Sequence, residues 1–197
     1  MIKALFFDSG NVLAIEGFTP GVAEYEKTNN IPAGKLYASA HDRAYWKDFI
    51  LGNISEQKYF RCVADDFGKF LSVEKLRELI YKNFHINQEL LEYIKTLKSN
   101  YILGIISNNP KEMFDYLSAA GGWNEIFDIK AVSGYVHLRK PDINIYQYAL
   151  NQSGVKGSEA VYIDDRLDRI QGAEDLGIKF IIYKNLEQLK KDLSNLK

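Results

Sequence analysis

The 197-residue sequence predicts an α/β fold: a doubly wound parallel sheet with a small helical insertion after its first strand. Three patterns point there. Apolar runs of strand length recur at 4–7, 101–106, 129–132, 160–163 and 179–183. From residue 87 onward these runs alternate with stretches of helical periodicity, the signature of βαβ units. The segment 14–86 breaks the alternation, being rich in helix formers and aromatics with no strand pattern.

Taken in order, the first run, Ala4 to Phe7, stops at Asp8 and passes into Ser9-Gly10-Asn11, which is turn chemistry. The insertion follows, with Tyr25, Tyr37, Tyr45, Trp46, Phe49, Tyr59, Phe60, Phe70 and Tyr81 as material for a core of its own. Leu90, Leu91, Ile94 and Leu97 then share one helical face, and Met113, Leu117 and Ala120 another. Asn109 as N-cap, Pro110 at the first helical position and Glu112 at the third predict a helix start. Further stripes are Ile145, Tyr146, Ala149, Leu150 and, at the end, Leu186, Leu189, Leu193, Leu196. Gly177 after Leu176 predicts a helix stop. The expected organisation is a core of residues 1–13 and 87–197 and a helical cap of residues 14–86.

Composition narrows the function. Hydrophobic residues make up 46% and charged residues 26%, as in ordinary globular domains. A formal charge of −1 argues against a nucleic-acid partner, which calls for a basic excess. The single cysteine, Cys62, excludes an intramolecular disulfide and sits among helix formers as a buried or half-buried thiol. No run approaches the roughly 20 apolar residues of a membrane span, so no membrane partner is expected. Met1-Ile2-Lys3 opens without a signal-peptide layout, and the expected location is cytoplasmic. Monomer and homodimer both remain open.

The ends of the apolar runs carry the chemistry. The first ends at Asp8, the second at Ser107-Asn108, and the fourth at Asp164-Asp165 with Asp168 one turn later; Lys140 precedes Pro141 after the third. A parallel sheet places all such ends on one edge, where its ligands bind. Singly, a serine–asparagine pair is turn or cap material, and a lysine before proline is usually solvated. Jointly they bring several carboxylates, a hydroxyl and an ammonium to a common crevice. Clustered carboxylates are tolerable there with a cation, and hard oxygen ligands with room for water favour magnesium. One carboxylate free to attack phosphorus would form an aspartyl phosphate. The hydroxyl and ammonium would meet the oxygens on which charge builds.

On these residues the sequence resembles the haloacid dehalogenase (HAD) superfamily over nearly its whole length. "FFDSGNVL" is similar to the first family motif, "IISNN" to the second, "RKPD" to the third and "YIDDRLD" to the fourth. The resemblance implies a Rossmann-like core with a helical cap and a magnesium-dependent phosphatase of small phosphorylated metabolites. It implies Asp8 as nucleophile, Lys140 in catalysis, and Ser107, Asn108 and Lys140 as phosphate binders. Asp8, the Gly10 carbonyl, Asp164 and Asp165 would form the magnesium site, with Asp168 holding Lys140. The stretch "HDRAYWKDFILGNIS" resembles the caps of small phosphatases acting on sugar phosphates, glucose 1-phosphate among them, with His41, Arg43, Trp46 and Lys47 as candidates for specificity.

The sequence departs from the family at Gly10, where the common phosphatase form has an aspartate that protonates the leaving oxygen. Three readings follow: a phosphatase that draws its acid from elsewhere or uses good leaving groups, a catalytically weak relative that binds or regulates, and a metal-free 2-haloacid dehalogenase. The acid pair Asp164-Asp165 weighs against the last. Glycine at position 10 is also compatible with a positive φ angle, which would hinder any side chain there.

Overall fold

The computed structural model describes residues 1–41, 43–68 and 70–196. The first strand, β1 (Ala4–Phe7), is buried throughout. A two-residue strand, β2 (Ala14–Ile15), leads into five helices: α1 (Phe18–Thr28), α2 (Lys35–His41), α3 (Ala44–Ile50), α4 (Glu56–Phe67) and α5 (Val73–Lys82). The chain returns through β3 (His85–Ile86) and α6 (Gln88–Leu97) to β4 (Ile102–Ser107). It continues through α7 (Lys111–Gly121), α8 (Trp123–Ile126), β5 (Ile129–Val132), α9 (Ser133–Val136), α10 (Ile143–Ser153), β6 (Ala160–Asp164), α11 (Gln171–Glu174), β7 (Lys179–Ile182) and α12 (Leu186–Ser194).

The main sheet has five strands in the order β5-β4-β1-β6-β7, and every neighbouring pair is parallel. Because side chains alternate along a strand, successive residues of β1 serve opposite faces. Leu5 and Phe7 pack with Leu90, Leu91 and Ile94 of α6, Phe114 and Leu117 of α7, and Leu186 and Leu189 of α12. Ala4 and Phe6 pack with Ile145, Tyr146, Ala149 and Leu150 of α10 and Ala173 of α11. The helical stripes in the sequence are therefore the faces laid on the sheet. Short polar caps start several of these helices: the Asn87 side chain accepts from the Leu90 amide and Asn185 from the Gln188 amide.

Helices α1–α5 surround a second cluster built on Phe18, Val22, Tyr25, Phe49, Tyr59, Phe60, Leu76 and Ile80, joined from α7 by Met113. Glycine lets α1 and α5 approach closely. A Cβ at Gly21 would stand 2.5 Å from the Ile80 Cα. The buried carboxylate of Glu26 ties α1 to α2 by accepting from the amides of Gly34, Leu36 and Tyr37.

Two local expectations are corrected. The segment 14–86 holds strand after all, because β2 and β3 pair antiparallel where the chain leaves and re-enters the main sheet. At two residues each, they are too short for an alternating pattern. Pro110 occupies the N-cap of α7, one position earlier than expected, and makes no side-chain cap. Asn109 does not cap the helix because its side chain turns to the sheet edge. Cys62 is half-buried and free. No helix among the described residues is long and apolar enough to cross a membrane.

Candidate active site

The strand order places Asp8 at the carboxyl end of the central strand, with β4 on one side and β6 on the other. Its amide donates to the Ile163 carbonyl (2.8 Å), extending the ladder by one residue. Ser107 ends β4 and Asp164 ends β6, so three strand ends converge where the sheet's connections diverge to either side.

Lys140 reaches this point from the loop after α9. Its side chain is 2% exposed, and a buried ammonium needs opposite charge and hydrogen bonds. It has both: Asp8 Oδ1 at 2.9 Å, Asp164 Oδ2 at 2.7 Å and the Tyr162 hydroxyl at 2.7 Å. The lysine backbone is clamped as well. Its amide donates to Asn108 Oδ1 (2.7 Å), and its carbonyl accepts from Asn108 Nδ2 and Arg169 Nη1 (3.0 Å each). The Asn108 side chain is thus spent on positioning Lys140.

Asp8 is held on one oxygen. Oδ1 accepts from the Ser9 amide (2.7 Å) and faces Lys140, while Oδ2 accepts nothing from the described residues. Burial pushes the Asp8 carboxyl up to about 6; Lys140 works against this shift and Asp164 adds to it. Burial also opposes the Asp164 charge, but Lys140, the Tyr162 hydroxyl and the Arg166 amide together hold that carboxyl below its ordinary value. Asp165, half-buried, is raised by burial despite a hydrogen bond from Asn11 Nδ2 (3.3 Å).

Oxygens of Asp8, Asp164 and Asp165 all lie within 4.8 Å of one another. Magnesium binds oxygen at about 2.1 Å in an octahedron, which separates its ligands by about 3 to 4 Å, so the trio has the right scale. The Gly10 carbonyl accepts no hydrogen bond from the described residues and remains available beside them. The donor set therefore fits a hard divalent cation.

A polar relay continues from Asp8 to β4. Ser9 Oγ and Ser107 Oγ are 2.6 Å apart, and Asn109 Nδ2 donates to Ser9 Oγ (2.7 Å). With Asn109 supplying that oxygen, the Ser9 hydroxyl can donate to Ser107, leaving the Ser107 proton for an incoming oxygen.

These groups open on a cavity of about 690 Å³ between the sheet edge and the helical unit. His41, Arg43, Trp46 and Lys47, singled out in the sequence, all line it, together with Phe18 and Tyr37. His41 stacks on Tyr37, ring centres 4.9 Å apart, and Trp46 lies 4.7 Å from Phe18, so the far wall is aromatic. Arg43 is drawn aside by an ion pair with Asp66 (3.5 Å). Asp42, within the same stretch, lies outside the described residues.

The expected role of Asp168 is corrected. It does not meet Lys140 but forms a two-point pair with Arg166 (2.9 Å each) and a longer one with Arg169 (3.6 Å). The reason is local: the short 3-10 turn Leu167–Arg169 leaves Asp168 exposed between two arginines, while Lys140 is satisfied by Asp8 and Asp164. Gly10 is corrected too. Its φ is not positive; the left-handed residue of the turn is Asn11 (φ 54°), and a Cβ at Gly10 would meet only Asp8 Oδ2, at 4.0 Å. Sequence reasoning missed Tyr162, Ser9 and the site role of Asn109. Tyr162 had a signal, since it stands two residues before Asp164 on one strand and so shares its face.

A family model described as haloacid dehalogenase-like hydrolase matches residues 51–183. Among curated proteins, the chain is 25% identical over 203 residues to a drimenol cyclase of Aspergillus calidoustus, covering 100% of this chain and 37% of that one. It is 23% identical over 201 residues to the D-ribitol-5-phosphate phosphatase of Bacteroides thetaiotaomicron, covering 98% of each. The chain spans well under half the length of the first two relatives, 37% and 19%, and almost all of the third. In fold it matches a HAD family enzyme of Bacteroides thetaiotaomicron solved in complex with magnesium and inorganic phosphate. The TM-score is 0.79 at 18% identity, over 96% of this chain and 99% of that one.

Proposed function

The chain belongs to the haloacid dehalogenase-like hydrolases, and we propose that it is a magnesium-dependent phosphatase of a small phosphorylated metabolite, a sugar phosphate foremost, acting through an aspartyl phosphate on Asp8. The observation that carries this is the placement of Asp8: 2.9 Å from a buried lysine, within 4.8 Å of two further carboxylates, and open on a 690 Å³ cavity. The full-length likeness to a ribitol phosphate phosphatase supports the substrate class, and the magnesium and phosphate of the structural relative support the cofactor.

In this reading Asp8 Oδ2 attacks phosphorus while Oδ1 stays on the Ser9 amide and Lys140. The ester P–O bond breaks and the leaving oxygen takes a proton. Water then attacks the acyl phosphate, releasing inorganic phosphate and restoring the carboxylate. Lys140 and the Ser107 hydroxyl meet the phosphoryl oxygens as charge grows on them. Asp8, Asp165 and the Gly10 carbonyl would hold the magnesium ion, with Asp164 completing the charge and fixing Lys140. When bound, the ion neutralises phosphate charge and orients the phosphoryl group. Helices α1–α5, residues 14–86 with their linkers, would serve as the cap that bounds the leaving-group side.

A catalytically weak binding protein draws on Gly10 alone, and a metal-free dehalogenase leaves the pairing of Asp164 with Asp165 unexplained. A panel of phosphorylated metabolites and a 2-haloacid, each assayed with magnesium and with excess chelator, tests the proposal. Magnesium-dependent phosphate release is expected. Release of halide in chelator, or binding without any turnover, would overturn it.

A further inference from the structure

The cavity contains more positive charge than one phosphoryl group requires. Beyond Lys140, its rim on the sheet side carries Arg139, Arg166 and Arg169. The carboxylates of the cavity lining are Asp8, Glu16 and Asp165; Asp168, outside that lining, takes Arg166 at two points and Arg169 at one. Arg169 also donates to the Lys140 carbonyl (3.0 Å). Arg139 accepts from the Asp142 amide at its carbonyl (3.0 Å), but its guanidinium forms no hydrogen bond or ion pair with the described residues. It is half-buried all the same, and burial and the neighbouring Arg169 charge press its guanidinium below its ordinary value. An unpaired, partly desolvated guanidinium beside a second one is unfavourable unless an anion arrives.

We propose that Arg139, backed by Arg169, is a subsite for a second anionic group of the substrate, one that remains on the leaving group when the phosphoryl group is transferred to Asp8. Arg139 is adjacent to Lys140 in the chain, so a phosphate on Asp8 and an anion on Arg139 would sit within one small molecule. The planar guanidinium suits a carboxylate or a second phosphate, either of which it can bind at two points. The aromatic wall of Phe18, Tyr37 and Trp46 would cover the uncharged body between them. This narrows the proposed substrate to phosphate esters bearing another anion, and it rests on the phosphatase reading for the chemistry but not for the binding.

Two matched pairs of substrates test it: glycerol 3-phosphate against 3-phosphoglycerate for a carboxylate, and fructose 6-phosphate against fructose 1,6-bisphosphate for a phosphate. The wild type should favour the two-anion member of at least one pair by about tenfold or more in kcat/KM, the scale of one hydrogen bond to a charged group. Arg139→Gln should erase that preference, chiefly through KM, and Arg139→Lys should keep part of it. The pair that shows the effect identifies the anion. Absence of preference in the wild type, or a preference that survives in Arg139→Gln, overturns the subsite. If no ester is turned over, the same ligands titrated by calorimetry into magnesium-loaded Asp8→Asn protein, with and without Arg139→Gln, decide the subsite separately. Loss of a two-anion preference with Arg139→Gln supports it, and equal binding by both proteins overturns it.

Discussion

Lys140 is shared between two carboxylates, standing 2.9 Å from Asp8 and 2.7 Å from Asp164. One ammonium thereby fixes the end of β1 to the end of β6. It leaves one oxygen of Asp8 restrained and the other free of any bond to the described residues. In the proposed reaction that free oxygen is the one that attacks phosphorus.

Asp8→Asn should lower turnover of every phosphate substrate by about a thousandfold or more, because an amide cannot form the acyl phosphate. The fold should persist, since the amide retains an acceptor for the Ser9 amide. A beryllium fluoride complex should form on the wild type and not on the variant. Retention of most activity would exclude covalent catalysis through Asp8.

Lys140→Met should cost both stability and rate. Removing the ammonium leaves Asp164, 1% exposed, and Asp8 without their common counter-charge, and breaking a buried pair typically costs about 3–5 kcal/mol. The loss of a donor to developing charge should lower kcat by about a hundred- to a thousandfold. Magnesium should recover part of the lost melting temperature and little of the rate. A raised KM with unchanged kcat would mean that Lys140 only holds substrate.

Metal binding should weaken as the pH falls below about 6, where Asp8 in the metal-free protein takes up a proton that must leave before a cation binds. Magnesium should therefore raise the melting temperature at pH 8 and scarcely at pH 5. Asp165→Asn removes the carboxylate with fewest internal partners and should reduce the stabilisation at pH 8. A magnesium-induced shift equal at both pH values would contradict the assignment of Asp8 to the cation site.

Gly10→Asp should be tolerated, as its backbone is not left-handed and the space beside Asp8 is open. With no carboxyl at that position, wild-type rates should depend on how readily the leaving group departs. Aryl and anomeric phosphates should exceed primary alkyl phosphates by more than fit accounts for. General acid help is worth about a hundred- to ten-thousandfold, so the substitution should narrow the gap by raising alkyl rates. Equal wild-type rates on alkyl and anomeric phosphates of matched shape would show that another residue supplies the proton.

The layers and the chemistry at their edge are legible in the local pattern of residues. Apolar runs of four to six residues are what a strand buried on both faces requires, and Asp8, Ser107 and Asp164 follow or end three of them. The helical stripes, such as Leu90, Leu91 and Ile94, marked the faces that cover the sheet because burial is periodic in the local chain. Pairing across elements is not local and depends on how distant segments pack. The order β5-β4-β1-β6-β7 brings Lys140 to Asp8 and Asp164 and leaves Asp168 outside among arginines, although Asp168 is only four residues from Asp164. Asn109, legible as a helix cap, was claimed instead by a serine 100 residues away, since a side-chain amide satisfies whichever buried partner the fold brings within 3 Å. The two-residue strands β2 and β3 are held by each other across the whole helical insertion, and a pattern two residues long carries no periodicity from which either could be read.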